Sequence, residues 1–419
     1  MRVIPVNWIT GRKSCGALSA GLTAVILSVG PAAVAQAQQP LRIGASVSQT
    51  GAYAAIGQNV HRGYQICVKQ ANEKGGLLGR RIEFAAEDDQ SQAATAVRIY
   101  EKLVTQDKVD AVFSPYSSPL TDAVADVLEK HKIPMVACCA AVPAIYRKGR
   151  KFIFMVPTPS ERYLEGVVDI AANRGLKTIA LIYEETLHPK AITEGAVERA
   201  KKKGLQVVLV HAYPRGTADF RPLLQSVRDL KPDVLAAPGY FDDAVAIIAQ
   251  MKELNINPKM FAVTSGGDLL KFYEVLGKSA EFVYGPAEWE PEMVMLRASG
   301  FVPIARQYPG AREFVDAHQK EFPGADLSYQ TAEGYAACQI FVAAVKRAAS
   351  LDASKVRDAI LKMDINTVFG PFRVDRDGIQ VAHRVATFQW QDGKKVIVWP
   401  DDLAPGRPRF PTTPWSQRP

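Results

Sequence analysis

Residues 109–137 read VDAVFSPYSSPLTDAVADVLEKHKIPMVA, and this stretch decides the fold. Positions 109–113 form a short apolar run, a Ser-Pro-rich turn follows, a helical stretch extends to Lys130, and 133–137 is a second apolar run. Neither run alternates apolar with polar residues as a half-solvated strand does, so both are expected to be buried on two faces. A strand, a crossover helix and a second buried strand make a parallel unit, because parallel neighbours cannot be joined by a tight turn. Ser118 and Pro119 mark the start of the helix: serine suits the N-cap and proline the first helical position.

The same rhythm extends in both directions. Further apolar runs occur at 41–47, 178–183, 207–210, 234–237 and 260–263, most of them rich in β-branched residues. Between them, Ala94, Val97, Tyr100 and Val104 keep helical spacing, as do Ala244, Ile247, Met251 and Leu254. Repeated alternation of this kind predicts an α/β protein with doubly wound parallel sheets. The chain, at 419 residues, is long enough for two packed lobes. Prolines interrupt the alternation at Val156-Pro157-Thr158-Pro159 and again across 286–303, which we read as crossings between lobes. Helices are then expected at 311–320, 328–348 and 354–361, followed by strand-like segments at 368–374 and 385–399 joined through Asp375-Arg376-Asp377-Gly378. Beyond Pro400 prolines are too dense for regular structure, so the tail either lies extended over a lobe or is mobile.

The first 37 residues differ from the rest. Arg2, Arg12 and Lys13 precede an apolar run at 17–29, and the small residues Ala35-Gln36-Ala37 follow. This is the pattern of a secretory signal cleaved after Ala37. Cys15 lies upstream of the apolar run, which argues against a lipoprotein. No later stretch approaches the roughly 20 apolar residues of a membrane helix. Removing the leader, with its three positive residues and no negative ones, lowers the formal charge from +8 to +5, which requires no nucleic-acid partner. Of the remaining cysteines, Cys138 and Cys139 are adjacent, and Cys67 and Cys338 sit in helical apolar patterns; buried thiols are expected, with no disulfide framework.

Catalytic signatures are missing from the sequence: it has no phosphate loop, no H-E-x-x-H, no G-x-S-x-G and no G-x-G-x-x-G after a strand. Gly75-Gly76-Leu77-Leu78-Gly79 ends a helix and precedes a strand, the reverse of a dinucleotide site, and reads as a turn. The six histidines do not pair at metal-ligand spacing, so neither a metal nor a cofactor is expected, and the chain does not read as an enzyme. Acid pairs at Asp88-Asp89, Glu184-Glu185 and Asp242-Asp243 follow or end strand-like runs, where they are either solvated or face an interlobe cleft.

In open parallel sheets ligands gather at the carboxyl ends of strands, where helix N-termini offer free N–H groups and partial positive charge. The turn at 114–119 lies at such an end. Ser118 either only caps the helix or also holds an anion, most naturally a carboxylate, through its hydroxyl and nearby N–H groups. The next run ends at Cys138-Cys139-Ala140-Ala141, whose backbone is expected to form the opposite wall.

Taken together, QTGAYAAIGQ (49–58), the segment 75–104, VDAVFSPYSS (109–118), AYPRGTADF (212–220), PGYFDDA (238–244) and VFGPFRVDRDG (368–378) carry a specific resemblance. The chain resembles the periplasmic binding proteins of the leucine/isoleucine/valine type, which feed ABC importers and share their fold with receptor ligand-binding domains. The resemblance spans the whole mature chain. It implies the type I fold: two lobes joined by a three-stranded hinge, with the ligand buried between them on closure. On that pattern 38–158 and 288–364 form one lobe, 159–287 and 365–398 the other, and 399–419 the tail.

The family's ligand positions fall on particular residues here. Ser118, with Ser117 beside it, matches the serine that binds the amino-acid carboxylate, and Cys139 a residue offering backbone groups. Ala141 stands where amino-acid binders carry a threonine, His188 where a tyrosine usually stands, and Ile56 at a further side-chain contact. Tyr240 matches an aromatic wall, and Tyr53, Tyr116, Phe241 and Trp289 are further candidates for walls or core. Ser265 occupies the place of the glutamate that pairs with the ligand's ammonium. With two ammonium contacts missing, a buried ammonium loses several kcal/mol. The expected ligand is therefore a small carboxylate without an α-amino group, aromatic or apolar. The alternatives are an amino acid served instead by Glu184, Asp242 or Glu288, and a ligand sensor for a membrane receptor. The implied partners are the membrane subunits of an ABC importer, in the periplasm, with the binding protein a monomer.

Overall fold

The structure, a computed structural model, describes residues 39–295 and 308–418. The expectations for 1–37, and for the part of the 286–303 stretch after residue 295, lie outside the described residues.

The first lobe opens with β1 (Leu41–Val47), buried at every position but Arg42, and α1 (Ala54–Glu73). There follow β2 (Ile82–Asp88), α2 (Ala93–Thr105), β3 (Ala111–Val112), α3 (Ser118–His131), β4 (Met135–Ala137), the short α4 (Pro143–Tyr146) and β5 (Ile153–Met155). β1 pairs in parallel with both β2 and β3, and β4 with β5. A parallel bridge between Tyr116 and Cys139 joins the two groups just past β3 and β4. The strands therefore run in the order 2-1-3-4-5. Right-handed crossovers that first step one way from β1 and then back past it place α1 on one face and α2 with α3 on the other. The point of reversal, between β1 and β3, is where such sheets open a crevice.

The second lobe repeats the plan with β6 (Thr178–Glu184), β7 (Gln206–Tyr213), β8 (Val234–Ala237), β9 (Met260–Val263) and β10 (Val283–Ala287). Its helices are α5 (Glu165–Asn173), α6 (Leu187–Lys202), α7 (Arg221–Leu230), α8 (Phe241–Glu253) and α9 (Leu270–Leu276). After α10 (Pro291–Met295), the chain forms α11 (Ala311–Glu321), α12 (Tyr329–Ala348) and α13 (Ala353–Leu361). The small antiparallel pair β11 (Ile365–Thr367) and β12 (Gly370–Phe372) follows. This region stays with the first lobe: Val368 N donates to Gln339 of α12 at 3.1 Å, and Gly378 O accepts from Met155 N at 2.8 Å.

Only afterwards does the chain enter the other sheet, through β13 (Ala386–Gln391) and β14 (Lys394–Trp399), giving the order β14-β13-β10-β9-β8-β6-β7. The stretch 385–399, expected as one strand-like segment, is thus a hairpin. Asp392 (φ 51°) and Gly393 (φ 74°) form its two-residue turn, the positive-φ pair that matches the twist of antiparallel strands. Likewise, of 368–374 only 370–372 is strand. The tail lies along the second lobe: Thr412 N donates to Lys259 O at 2.9 Å and the Trp415 indole to Ile256 O at 2.7 Å.

One expectation is overturned. Cys67 and Cys338 are not separate buried thiols but a disulfide between α1 and α12, with Cα atoms 6.2 Å apart. Each cysteine stands four residues after a glycine that lets the helices touch. A methyl group at Gly63 would overlap the Thr331 carbonyl oxygen, and one at Gly334 the Val60 carbonyl oxygen. The apolar faces that bury the two cysteines are the faces that meet. Cys138 and Cys139 remain free thiols, as expected.

Candidate functional site

The site forms where the carboxyl ends of β3 and β4 face those of β6, β8 and β9. α3 begins one residue earlier than the sequence reading placed it. Ser117, not Ser118, is the N-cap: its hydroxyl accepts from Leu120 N at 3.4 Å, and Pro119 takes the second helical position. Proline is tolerated there because the first-turn N–H groups have no partner within the helix. Ser117 holds φ 80°, ψ 150°, a conformation that costs a non-glycine residue about 1–3 kcal/mol and that clusters at ligand sites. With capping assigned to Ser117, the Ser118 hydroxyl is left buried with no partner.

Ser118 lines a closed cleft together with Tyr116, Ser117, Cys139 and Ala141 from the first sheet and Tyr163, His188, Tyr240 and Ser265 from the second. Tyr329, Gln330 and Glu333 of α12 complete the wall. The cleft holds about 300 Å³ of atom-free space. Across the lobes, Tyr53 lies 5.0 Å from Tyr240 and is covered by the Arg215 guanidinium at 4.3 Å, and within the first lobe it lies 5.4 Å from Tyr116. The His188 Nδ1 is 2.7 Å from Ser160 Oγ, and burial holds its pKa down to about 3, so the imidazole is neutral. A roomier hollow lies between α5 and the tail, but no buried unpartnered side chain lines it.

A family model described as periplasmic binding protein matches residues 40–395. The chain belongs to the periplasmic binding protein family. Leu/Ile/Val-binding protein homolog 7 of Brucella abortus is 25% identical to it over 406 residues, covering 93% of this chain and 99% of that one. Among solved structures, the leucine binding protein LivK of Thermotoga maritima superposes with a TM-score of 0.77 at 23% identity, over 87% of this chain and 100% of its own. A Rhodopseudomonas palustris solute binding protein in complex with benzoate gives 0.73 at 19% identity, over 85% and 95%. The solved structures share its type I fold, and the sequence relative is a protein of the leucine/isoleucine/valine-binding type.

The cleft of this binding protein brings together Tyr116, Ser117, Ser118, Cys139, Ala141, His188, Tyr240 and Ser265 of the residues singled out from sequence, whereas Tyr53, Phe241, Ile56 and Trp289 do not line it. Ile56 is buried within α1, and Trp289 is fully buried edge-on to Phe314 at 5.8 Å. The three acids considered as replacement ammonium partners all lie elsewhere. Asp242 is exposed on α8. Glu184 accepts from Thr186 Oγ1 at 3.0 Å; burial, then the neighbouring Asp243, pushes its carboxyl up to about 7. Glu288 accepts from Thr158 N at 2.8 Å, and burial pushes it up to about 8.

The acid in the cleft is Glu333, which the sequence reading passed over. Burial first, then proximity to Glu288, drives its pKa well above the usual carboxylate range, which favours its protonated, hydrogen-bonding form. Tyr163, Tyr329 and Gln330 were missed as well. Their one visible signal is Tyr329-Gln330 and Glu333 recurring at helical spacing in a segment otherwise dominated by small and apolar residues. Among the described residues, no group of three or more His, Cys, Asp or Glu side chains is arranged to hold a metal.

Proposed function

We propose that this protein is the substrate-binding component of an ABC-type importer and closes on a small carboxylic acid without an α-amino group, aromatic or apolar. The observation that carries the reading is the Ser118 hydroxyl, buried and unpartnered at the start of α3 in the closed cleft. Free N–H groups and partial positive charge there favour a carboxylate. Ala141 and Ser265 carry no charge, and burial disfavours the ionised form of Glu333, so the lining favours a ligand without an ammonium. Tyr116, Tyr163, Tyr240 and Tyr329 provide apolar ring surface, worth about 25 cal/mol per Å² removed from water. The relative bound to benzoate supports an aromatic acid.

A second reading, an amino-acid ligand, is favoured by one observation. Glu333 lines the cleft, and an arriving ammonium can draw off its proton and pair with it. The leucine binding protein among the relatives is consistent with that reading.

Admission of either ligand requires the lobes to part and close again. We place the three crossings at Thr158, at Glu288 and near His383, the third later than 365 because β11 and β12 pack on α12. We further propose export with cleavage after Ala37. Calorimetry on benzoate, butyrate, leucine and isoleucine tests the ligand class. The amine-free acids are expected to bind and the Ser118→Ala variant to bind them about 1–3 kcal/mol more weakly. Micromolar leucine binding with no binding of the acids would reverse the assignment.

A further inference from the structure

We infer that Gln330 is a specificity-determining residue that reads a neutral hydroxyl on the ligand, in addition to the carboxylate; this rests on the carboxylate reading above. Gln330 is 1% exposed, stands in the first turn of α12 and lines the cleft. Neither its Nε2 nor its Oε1 has a hydrogen-bond partner.

Three of the other buried glutamines use both ends of their amides, and a fourth, Gln391, uses its Nε2 twice. Gln250 accepts from Phe220 N and donates to Ala218 O. Gln380 accepts from Arg373 N and donates to Val156 O, and Gln389 accepts from Arg409 N and donates to Arg409 O. Gln330 alone of these buried glutamines presents an idle donor and an idle acceptor, and it does so inside the site. Because both atoms are idle, the conclusion holds whichever way the amide is turned.

The chemistry of the missing partner follows. An ionised carboxylate only accepts, so it would serve Nε2 and leave Oε1 bare. An ammonium only donates, so it would serve Oε1 and leave Nε2 bare. An unsubstituted ring or alkyl chain serves neither. A hydroxyl donates and accepts through one small group and can satisfy both ends. The carboxylate is already provided for at Ser118 and the start of α3, so the hydroxyl belongs to another part of the same molecule. The cleft therefore fits a small hydroxylated carboxylic acid, whose hydroxyl replaces what water gives the amide in the open state.

The test is calorimetry at pH 7 with benzoate, 3-hydroxybenzoate and 4-hydroxybenzoate on the wild type and on Gln330→Leu and Gln330→Met, with circular dichroism melts to verify folding. At least one hydroxybenzoate is expected to bind the wild type about tenfold or more tightly than benzoate, the difference made by leaving buried polar atoms unpaired. In whichever apolar variant folds, that preference should fall to within threefold. If benzoate binds the wild type and both hydroxybenzoates bind within threefold of it, the inference fails, as when a trapped water already satisfies the amide. A hydroxyl preference that survives in the variants overturns it equally. If benzoate and both hydroxybenzoates all fail to bind, the carboxylate reading fails and takes the inference with it.

Discussion

Glu333 and Ser118 line one closed space from different helices, and their chemical states set what that space accepts. Burial among Cys139, Tyr329 and the more distant Glu288 favours the protonated form of the carboxyl, while a serine hydroxyl relieved of capping by Ser117 awaits an acceptor. Replacing Glu333 by Gln keeps the shape and removes the titrating proton. If the ligand lacks an amine, Glu333→Gln should alter benzoate affinity by less than about threefold, under 1 kcal/mol. If the ligand is an amino acid, the same change should weaken leucine by about a hundredfold or more, since it strands a buried ammonium. Calorimetry of both ligands on one variant separates these outcomes. Ser118 and the strand end at Cys139 were legible in the sequence because each sits just past an apolar run, where strand ends can be counted, while Ala141, Tyr240 and Ser265 were reached through the family resemblance. Gln330 and Glu333 were not. They lie on a helix buried on nearly all sides through its first three turns, and spacing alone does not tell which of its faces meets a cleft and which meets core.

α1 and α12 form the helical pair on which that cleft wall depends. Gly63 and Gly334 bring their backbones together, and one turn further on Cys67 and Cys338 lock them. The bond spans 271 residues of sequence, so its removal frees a long loop in the unfolded chain. A Cys67→Ala, Cys338→Ala double variant is expected to lose about 2–5 kcal/mol in denaturant unfolding. The wild type treated with reductant should lose a comparable amount. Equal stability of the oxidised wild type and the double variant would show that the bridge does not form. Such a bond accords with an oxidising compartment outside the cytoplasm. The elements themselves were legible, because parallel strands buried on two faces read as unbroken apolar runs. The bridge was not, since helical periodicity shows that a cysteine is buried without showing what it is buried against. The hairpin at Asp392-Gly393 did carry a turn signal, masked by apolar residues that continue on both sides of it.

At the scale of the molecule, the three crossings we propose between the lobes converge on one buried polar cluster. Thr158 donates its N–H to Glu288 at 2.8 Å, its hydroxyl is 2.8 Å from His383 Nδ1, and that nitrogen is 3.8 Å from Glu288. Each crossing thus contributes one residue, and His383 Nε2 also meets Phe369 O at 3.1 Å. Burial pushes Glu288 up to about 8, an effect reduced by its bonds with Thr158 and by the Arg162 charge, and burial holds His383 down to about 4. Both are therefore neutral at pH 7, and a hinge without net charge can turn without moving ions through an apolar interior. Stability should follow from these shifts. The folded state holds the Glu288 proton more tightly than the unfolded chain does, so its share of stability is full below about pH 4.5 and is lost as pH rises towards 8. His383 acts in the opposite sense: its share is present above about pH 6.5 and is lost as pH falls towards 4. Glu288→Gln removes the first dependence and leaves the second. Relative to the wild type, the variant should therefore gain about 1–3 kcal/mol between pH 5 and pH 9, read from denaturant unfolding at both values. A stability difference that stays constant with pH would mean that Glu288 is already ionised in the folded protein and that the hinge carries a buried charge.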